Sequence, residues 1–494
     1  MRSNIRMRLE DFARSPVGRS LRPVPKGLIS LCAALAVAAT LGCNIDNPGD
    51  EPPRGILYFP NAMVLSKQPD GSPPRYLFIA NSNFDLRFSH GTVQAYSLER
   101  LSTQVDRCRS KTDCQIEPSA VLDDEIRITS FSTAIGLSSD GRYLFAATRT
   151  DSSLIYMHVD AEAAHPGDVL SCKGDEITCS MRGERLPDPL GTGGEALSWP
   201  PDPEALVAGP LSDWQTDQAT PVDGDFVLVA HSGITSGGVP SGAVSLFVLQ
   251  PDRGGQPAKL SLASALTGLA GALPGISYDP ITRYAYMPLA AGGSPKLLTR
   301  IGVAVTTNSD GKVDFNGTRP FYADELFLDG AAPFSDTRDV AFLPAVPNAG
   351  VALAQDRALI VSQQPSALLV TDIDPTRNAP GTAQVKATAV VGPGATRVVV
   401  GDFDGQPLAI VGSFGSRELS VIDLSTMLPR AVVPNLSGPF ALALDEDRRL
   451  LYVDDFRSSV IRIIDLAPAL DPESTETVRV VATLGKPRVL QELR

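Results

Sequence analysis

Short apolar runs recur along the whole chain, each bounded by small or polar residues. Seven segments carry such a run: YLFIANS (76–82), YLFAATR (143–149), FVLVAHS (226–232), YAYMPLA (284–290), ALIVSQQ (358–364), LAIVGSF (408–414) and LLYVDDF (450–456). Runs of about four apolar residues suit strands buried on both faces. A second strand pattern follows each: TVQAYSL (92–98), LIYMHVD (154–160), AVSLFVL (243–249), LTRIGVA (298–304), ALLVTDI (367–373), ELSVIDL (418–424) and VIRIIDL (460–466). Before each run lies another strand, and in four copies it alternates small with large, from Ala62, Ala134, Gly275 and Ala441. Alternation places the small side chains on one face. Asp-Gly pairs at 70–71, 140–141 and 404–405 mark the joints as hairpins. Fourth strands are weaker; VRVVATL (478–484) and VKATAVV (385–391) are the clearest.

Four strands per unit and seven units predict an all-β chain folded as a seven-bladed β-propeller, its small-faced strands crowded near a central axis. Six or eight blades, or two separate β domains, are the competing arrangements. At LLYVDD and YLFIAN the chain resembles the YVTN-type propeller repeat, a likeness that covers roughly residues 56–485. Inner strands begin near 62, 134, 205, 275, 338, 397 and 440, so the repeat shortens from roughly 70 residues to roughly 43. A bare blade takes about 40–45 residues, which makes 439–466 the undecorated unit and the early blades the decorated ones. The additions fall at 100–125 and, as a disordered or loop-rich insertion, at 161–203. Long insertions on a rigid scaffold often carry function, and padding is the equal alternative. The chain starts on an inner strand and ends on an outer one. First and last blades are therefore expected to meet by side-chain packing alone, with the tail KPRVLQEL as a candidate clasp.

Charge and cysteines change the picture at the N-terminus. Residues 1–26 are rich in arginine, and GLISLCAALAVAATLG (27–42) follows without a charge. That length suits a signal-peptide core better than a membrane span. Gly42 directly before Cys43 resembles the lipobox of bacterial lipoproteins, with Thr40 where Leu is usual. The resemblance implies cleavage before Cys43 and its diacylation, and Asn44 behind it favours the outer membrane. A plain secreted protein and an uncleaved anchor are the alternatives. The expected organisation is thus a lipoprotein signal peptide over 1–42, a flexible tether over 43–55 and the propeller over 56–494. Four other cysteines stay in the exported chain, Cys108, Cys114, Cys172 and Cys179. An even number outside the cytosol implies disulfides, and the short separations favour Cys108–Cys114 and Cys172–Cys179.

The net charge of −13 argues against nucleic acid as a partner. None of His90, His158, His165 and His231 sits in a nucleophile or metalloprotease motif. Carboxylate pairs at Asp123–Asp124, Asp402/Asp404 and Asp454–Asp455 suit calcium or acid–base chemistry. Asp372, Asp423 and Asp465, however, recur at one place in their repeats, which points to turn capping. No catalytic residue, metal set or cofactor motif is assigned. Arg149 and Arg457, one step past a strand core, are candidates to meet an anionic ligand at the channel, with surface ion pairing as the alternative. His231 follows a strand core and either reaches the mouth or hydrogen-bonds a turn. The expected function is a lipid-anchored envelope module that binds or scaffolds a protein or cell-wall polymer. The alternative is a propeller enzyme resembling the sugar lactonases or quinone-cofactor dehydrogenases.

Overall fold

The computed structural model describes residues 49–488, apart from 69, 173–199, 215–221, 237–238, 253–257, 272, 290–296, 310–311, 316, 333–335, 344–357, 375–377, 379, 472 and 475. The signal peptide, Cys43 and Cys179 lie outside the described residues, as do 489–493 of the expected clasp.

Strands sort into antiparallel runs of four. The first is Pro60–Leu65, Tyr76–Asn81, Gly91–Ser97 and Leu122–Ile128, and the second Ser132–Leu137, Tyr143–Thr148, Ser153–Val159 and Leu170–Ser171. The third is Pro203–Pro210, Asp225–Ser236, Val239–Gln250 and Lys259–Ala270, and the fourth Ser277–Asp279, Tyr284–Pro288, Leu297–Ala304 and Arg319–Asp329. The fifth is Thr337–Phe342, Ala358–Gln363, Ser366–Asp372 and Thr382–Val390, and the sixth Ala395–Phe403, Gln406–Ser413, Glu418–Asp423 and Leu428–Val433. The last is Pro439–Asp445, Leu450–Asp455, Val460–Asp465 and Arg479–Leu484. Their inner strands neighbour one another in order, and that of the last run lies against that of the first. The chain is a β-propeller. Outer strands of the fourth and fifth blades also pair in parallel, Phe327 opposite Thr382, which fuses those two blades into one sheet.

The cores explain why the second strands are apolar on both faces. Each hydrophobic cluster sits between two blades, not inside one. Phe78, Val93 and Ile126 of the first blade meet Leu144, Ile155 and Met157 of the second, and Tyr143 and Phe145 of the second meet Val227 and Phe247 of the third. Inner strands crowd as their small residues require. A Cβ on Gly136 would stand 2.6 Å from Leu206 of the next inner strand, and one on Gly401 2.6 Å from Leu444. Both contacts are closer than side chains tolerate.

The last seam joins segments with no chain continuity, and side-chain packing is not all that holds it. Ser97 caps a helix, α1 (Leu98–Cys108), by accepting from the Arg100 amide. Leu98, Leu101, Val105 and Cys108 share one buried face. That face packs in a cluster with Ile461, Ile463, Val481 and Leu484 of the last blade. A disulfide joins Cys108 to Cys114, and Gln115–Ile116 then pairs in parallel with Thr483–Leu484. The Thr483 and Gly485 amides donate to Cys114 and Ile116, both at 2.9 Å. Arg109 pairs with Asp465. The addition at 100–125, for which function and padding were equal expectations, thus serves closure and adds a strand to the last blade.

Two further expectations change. Residues 50–55 of the expected tether belong to the first blade: Pro52 is buried, Asp50 bridges Phe88 and the Gly55 amide donates to Glu125. The start of the expected 161–203 insertion is blade too, since Leu170–Ser171 is the outer strand of the second blade, with the Leu170 amide held by Asp124 at 2.7 Å. Cys172 directly after it is disulfide-bonded. The carboxylate pairs do structural work: Asp123 pairs with Arg100, and Asp402 accepts from the Gly405 amide. Asp372, Asp423 and Asp465 each accept from an amide two residues on.

Asp454 is different. On the second strand of the last blade it shares a face with Leu450 and Tyr452, toward the closing seam. It is fully buried, and neither carboxylate oxygen has a hydrogen-bond partner among the described residues. Ala80, Ala147 and Ala230 hold the corresponding place in the first three blades. Burial, reinforced by Asp455, holds the Asp454 carboxyl well above its ordinary value of 3.8.

Two outcomes follow from this seam. Replacing Cys108 and Cys114 together by Ser is expected to lower unfolding stability by about 2 kcal/mol, seen as a fall in the thermal midpoint. An unchanged midpoint would remove the disulfide from closure. For Asp454, the folded state keeps a proton that the unfolded state releases above about pH 4, so stability falls as pH rises, by at most ~1.4 kcal/mol per unit. Asp454→Asn should therefore match wild type below pH 4 and exceed it increasingly above. Parallel stability–pH curves would contradict this.

Candidate functional site

One face of the ring is built from the starts of the inner strands and the loops joining second to third strands. Pairing fixes this: Pro60 lies opposite Asn81, Ser132 opposite Thr148, Pro203 opposite His231, Ala395 opposite Ser413 and Pro439 opposite Asp455. Directly inside this rim, six inner strands carry a bulge at the same place, where one residue has no counterpart across the ladder. Bulges re-aim side chains. Here the re-aimed positions are Asn61, Thr133, Glu204, Arg338, Thr396 and, in the last blade, the Phe440–Ala441 step.

Below the rim the inner strands enclose two connected chambers. The upper one, about 190 Å³, is lined by Asn61, Thr133, Asp339 and Arg397 among others. The lower, about 610 Å³, is more apolar and includes Tyr278, Phe342 and Leu444. Asp339 and Val398 border both. Asp339 accepts from the Val398 amide at 3.0 Å. Part of its surface opens to the channel, yet enclosure by the strands raises its carboxyl, with Arg397 opposing the rise. Asn61 donates to the Ser132 carbonyl, while its own Oδ1 is buried without a partner among the described residues. Glu204 is also pushed up by burial, against the pull of Arg149.

Around the mouth runs a strip of phenylalanine rings from four consecutive blades. Phe414 and Phe440 have centroids 6.4 Å apart, Phe440 and Phe456 5.8 Å, Phe456 and Phe84 5.6 Å, and Phe84 and Phe131 5.5 Å. Phe59 lies beneath, 5.3 Å from Phe456. Such spacings are those of favourable tilted and edge-on pairs. Phe59 and Phe131 both precede inner strands with φ of 50° and 55°. Bulky residues seldom adopt that region, which costs about 1–3 kcal/mol, so the surrounding fold imposes it. Phe84 and Leu86 are 55% and 56% exposed. They stand on a loop fixed from within, where Asn83 donates to the Phe88 carbonyl and to Ser130 and accepts from the Phe88 amide.

At one end of the strip are two arginines. Arg397 lies over the Phe440 ring at 5.3 Å and Arg457 over Phe414 at 4.6 Å. Among the described residues neither forms an ion pair. Of the sequence candidates, Arg457 thus stands at the mouth. Arg149 does not remain available, because Asp202 and Glu204 both pair with it. Of the two courses open to His231, the structure shows hydrogen bonding away from the mouth. It is fully buried inside the third blade, its Nε2 2.9 Å from Ser245 Oγ and its Nδ1 3.2 Å from the Pro201 carbonyl. The strip was not foreseen from the residues, although LAIVGSF and LLYVDDF both end on one of its rings.

No protein-family model matches the chain, and no curated protein does. Solved structures similar to it are propellers and related chains at low identity. Saccharomyces cerevisiae Sqt1 is 10% identical over 88% of this chain and 87% of its own, with a TM-score of 0.46. The Pseudomonas aeruginosa periplasmic gluconolactonase is 15% identical over 75% and 83%, at 0.42. The β-propeller domain of Cps50 (Swd1) from Myceliophteria thermophila is 10% identical over 82% and 96%, at 0.42. Likeness at this level says nothing of ligand or reaction.

Burial pushes His231 down to about 3. It should therefore stay neutral between pH 5 and 8, with ring nitrogen and carbon shifts in NMR spectra that do not move. A titration midpoint above 5 would place it in contact with solvent.

Proposed function

We propose that this chain is a lipid-anchored module of the cell envelope, held at Cys43, which binds or scaffolds a partner through the mouth of its propeller. The observation that carries this reading is the phenylalanine strip. Two half-exposed apolar side chains on a rigid loop, continuous with other rings, are unfavourable in water unless something covers them. Rigidity matters because little ordering entropy is then lost on binding. Protein and cell-wall polymer are the partner classes this role implies. The enzyme alternative, lactonase-like or quinoprotein-like, is favoured by one different observation. Asn61, Thr133, Asp339 and Arg397 are unlike polar side chains that converge on one chamber from four blades.

Anchor and surface are tested separately. Cys43→Ala should abolish palmitate labelling and release the protein from membranes; equal labelling sinks the anchor. Capture of partners from detergent-solubilised envelopes should be lost in Phe84→Ser/Leu86→Ser, whose exposed positions leave the thermal midpoint in place. Unchanged capture by that variant, with loss on deletion of 173–199, would move the function to the insertion.

A further inference from the structure

We infer that the mouth recognises an acidic polypeptide segment, one whose carboxylates meet Arg397 and Arg457 while its apolar side chains cover Phe84 and Leu86. This rests on the mouth being the recognition surface and adds the chemistry of the partner. The chain as a whole carries −13; at the rim neither guanidinium is ion-paired among the described residues, although Arg397 also acts on the nearby carboxyls of Asp339 and Glu204. A guanidinium stacked on a ring is held in place and keeps N–H groups able to take a carboxylate in bidentate fashion. Arg397 donates one of its own to the Pro274 carbonyl at 3.5 Å, and Arg457 makes no hydrogen bond or ion pair among the described residues. A cation without an ion-pair partner on an acidic body would help steer an acidic segment to this point.

A sugar polymer fits less well. Phenylalanine offers no hydrogen-bonding atom, and the polar side chains beside the strip are engaged or, like Ser132 and Ser413, have their polar atoms buried out of reach. Thr133 donates to the Pro203 carbonyl at 2.9 Å, and Thr396 to the Gly412 carbonyl at 3.4 Å. Arg149 spans Asp202 and Glu204. What the strip leaves open is apolar surface and two cations, the complement of a peptide that mixes Asp or Glu with Leu or Phe. The exposed pair would act as the apolar anchor and the arginines as the source of register.

The test pans a randomised dodecapeptide library displayed on phage against the purified propeller. Enriched peptides should carry Asp or Glu next to apolar residues. Changing those acids to amides in a synthetic copy should weaken binding about tenfold, or about 1.4 kcal/mol, as read by fluorescence anisotropy. Arg457→Ala together with Arg397→Ala should erase the difference between acid and amide forms, whereas Phe84→Ala weakens both forms alike. Thermal midpoints of all variants are checked for folding, and Arg457→Lys keeps the charge without the stacked fork. Neutral or basic enriched peptides, no enrichment, or an acid preference that survives loss of both arginines overturns the proposal. Binding of a uronate oligosaccharide in place of peptide, or self-association that Phe84→Ser abolishes, overturns it in favour of those occupants. If envelope capture still depends on Phe84 and Leu86 in any of these cases, the mouth keeps its role and only the acidic partner falls. If capture does not depend on them, the wider reading falls as well.

Discussion

Every blade of this protein is apolar on both sides, and that single constraint shapes the rest. A four-stranded sheet with one wet face needs one neighbour; a sheet with two dry faces needs two. Phe78 is buried against the second blade, while Leu77 and Ile79 on the same strand are buried against the last. A row of such sheets leaves two unsatisfied faces at its ends, and bending the row into a ring removes both. Crowding at the axis then follows from geometry, and the small residues of the inner strands follow from crowding. At Gly136 and Gly401 a side chain would have to displace Leu206 or Leu444 of the next strand.

Ring closure is where the constraint is hardest to meet, because the first and last blades share no hairpin. The chain meets it with an addition to the first blade. Helix α1 lays its apolar face on the last blade, the Cys108–Cys114 bond turns the chain, and Gln115–Ile116 extends the last sheet by one strand. Main-chain hydrogen bonds thus cross a seam that would otherwise rest on van der Waals contact and burial. The same seam contains the least satisfied group described in the fold, the Asp454 carboxyl. A carboxyl placed where three other blades carry alanine opposes packing, and a neutral, protonated form is the least costly way to bury it.

Much of this was legible in the sequence for one reason: strands buried on both faces leave a local signature, four apolar residues in a row. Inner, second and third strands of all the blades could be placed from LLYVDD and its variants. Outer strands were fainter. VRVVATL and VKATAVV could still be placed, and strands stand at Arg479–Leu484 and Thr382–Val390, whereas Arg319–Asp329 is half polar with broken alternation and looks like loop. Helix α1 was missed although Leu98, Leu101, Val105 and Cys108 have helical spacing, because its partner face comes from residues far along the chain. For His231 and Arg149 the sequence left two courses open for a related reason. Sequence position puts both near a mouth, but which side of the strand end faces the channel depends on the bulge in the neighbouring inner strand. That bulge has no fixed residue type; Asn61, Thr133, Glu204 and Thr396 share a place and little else.

The mouth shows how a repetitive scaffold acquires a particular surface. Repeats dictate the bulges and the loops, and every blade offers the same few positions: the residue before the inner strand, the bulge itself and the residue after the second strand. In the third blade two of these are Asp202 and Glu204, and with Arg149 they make a closed set of ion pairs. In the sixth, seventh, first and second blades the same kinds of position hold phenylalanine. Because these blades are consecutive, the rings touch and become one surface instead of four separate apolar spots. The two arginines end the strip where the sixth blade begins, each stacked on a ring. Positive φ at Phe59 and Phe131 shows that the rings occupy these places against their own backbone preference. The cost of about 1–3 kcal/mol each is borne by the packed seams beneath, and a site maintained at that cost on the stiffest part of the ring is where recognition has a rigid template to work with.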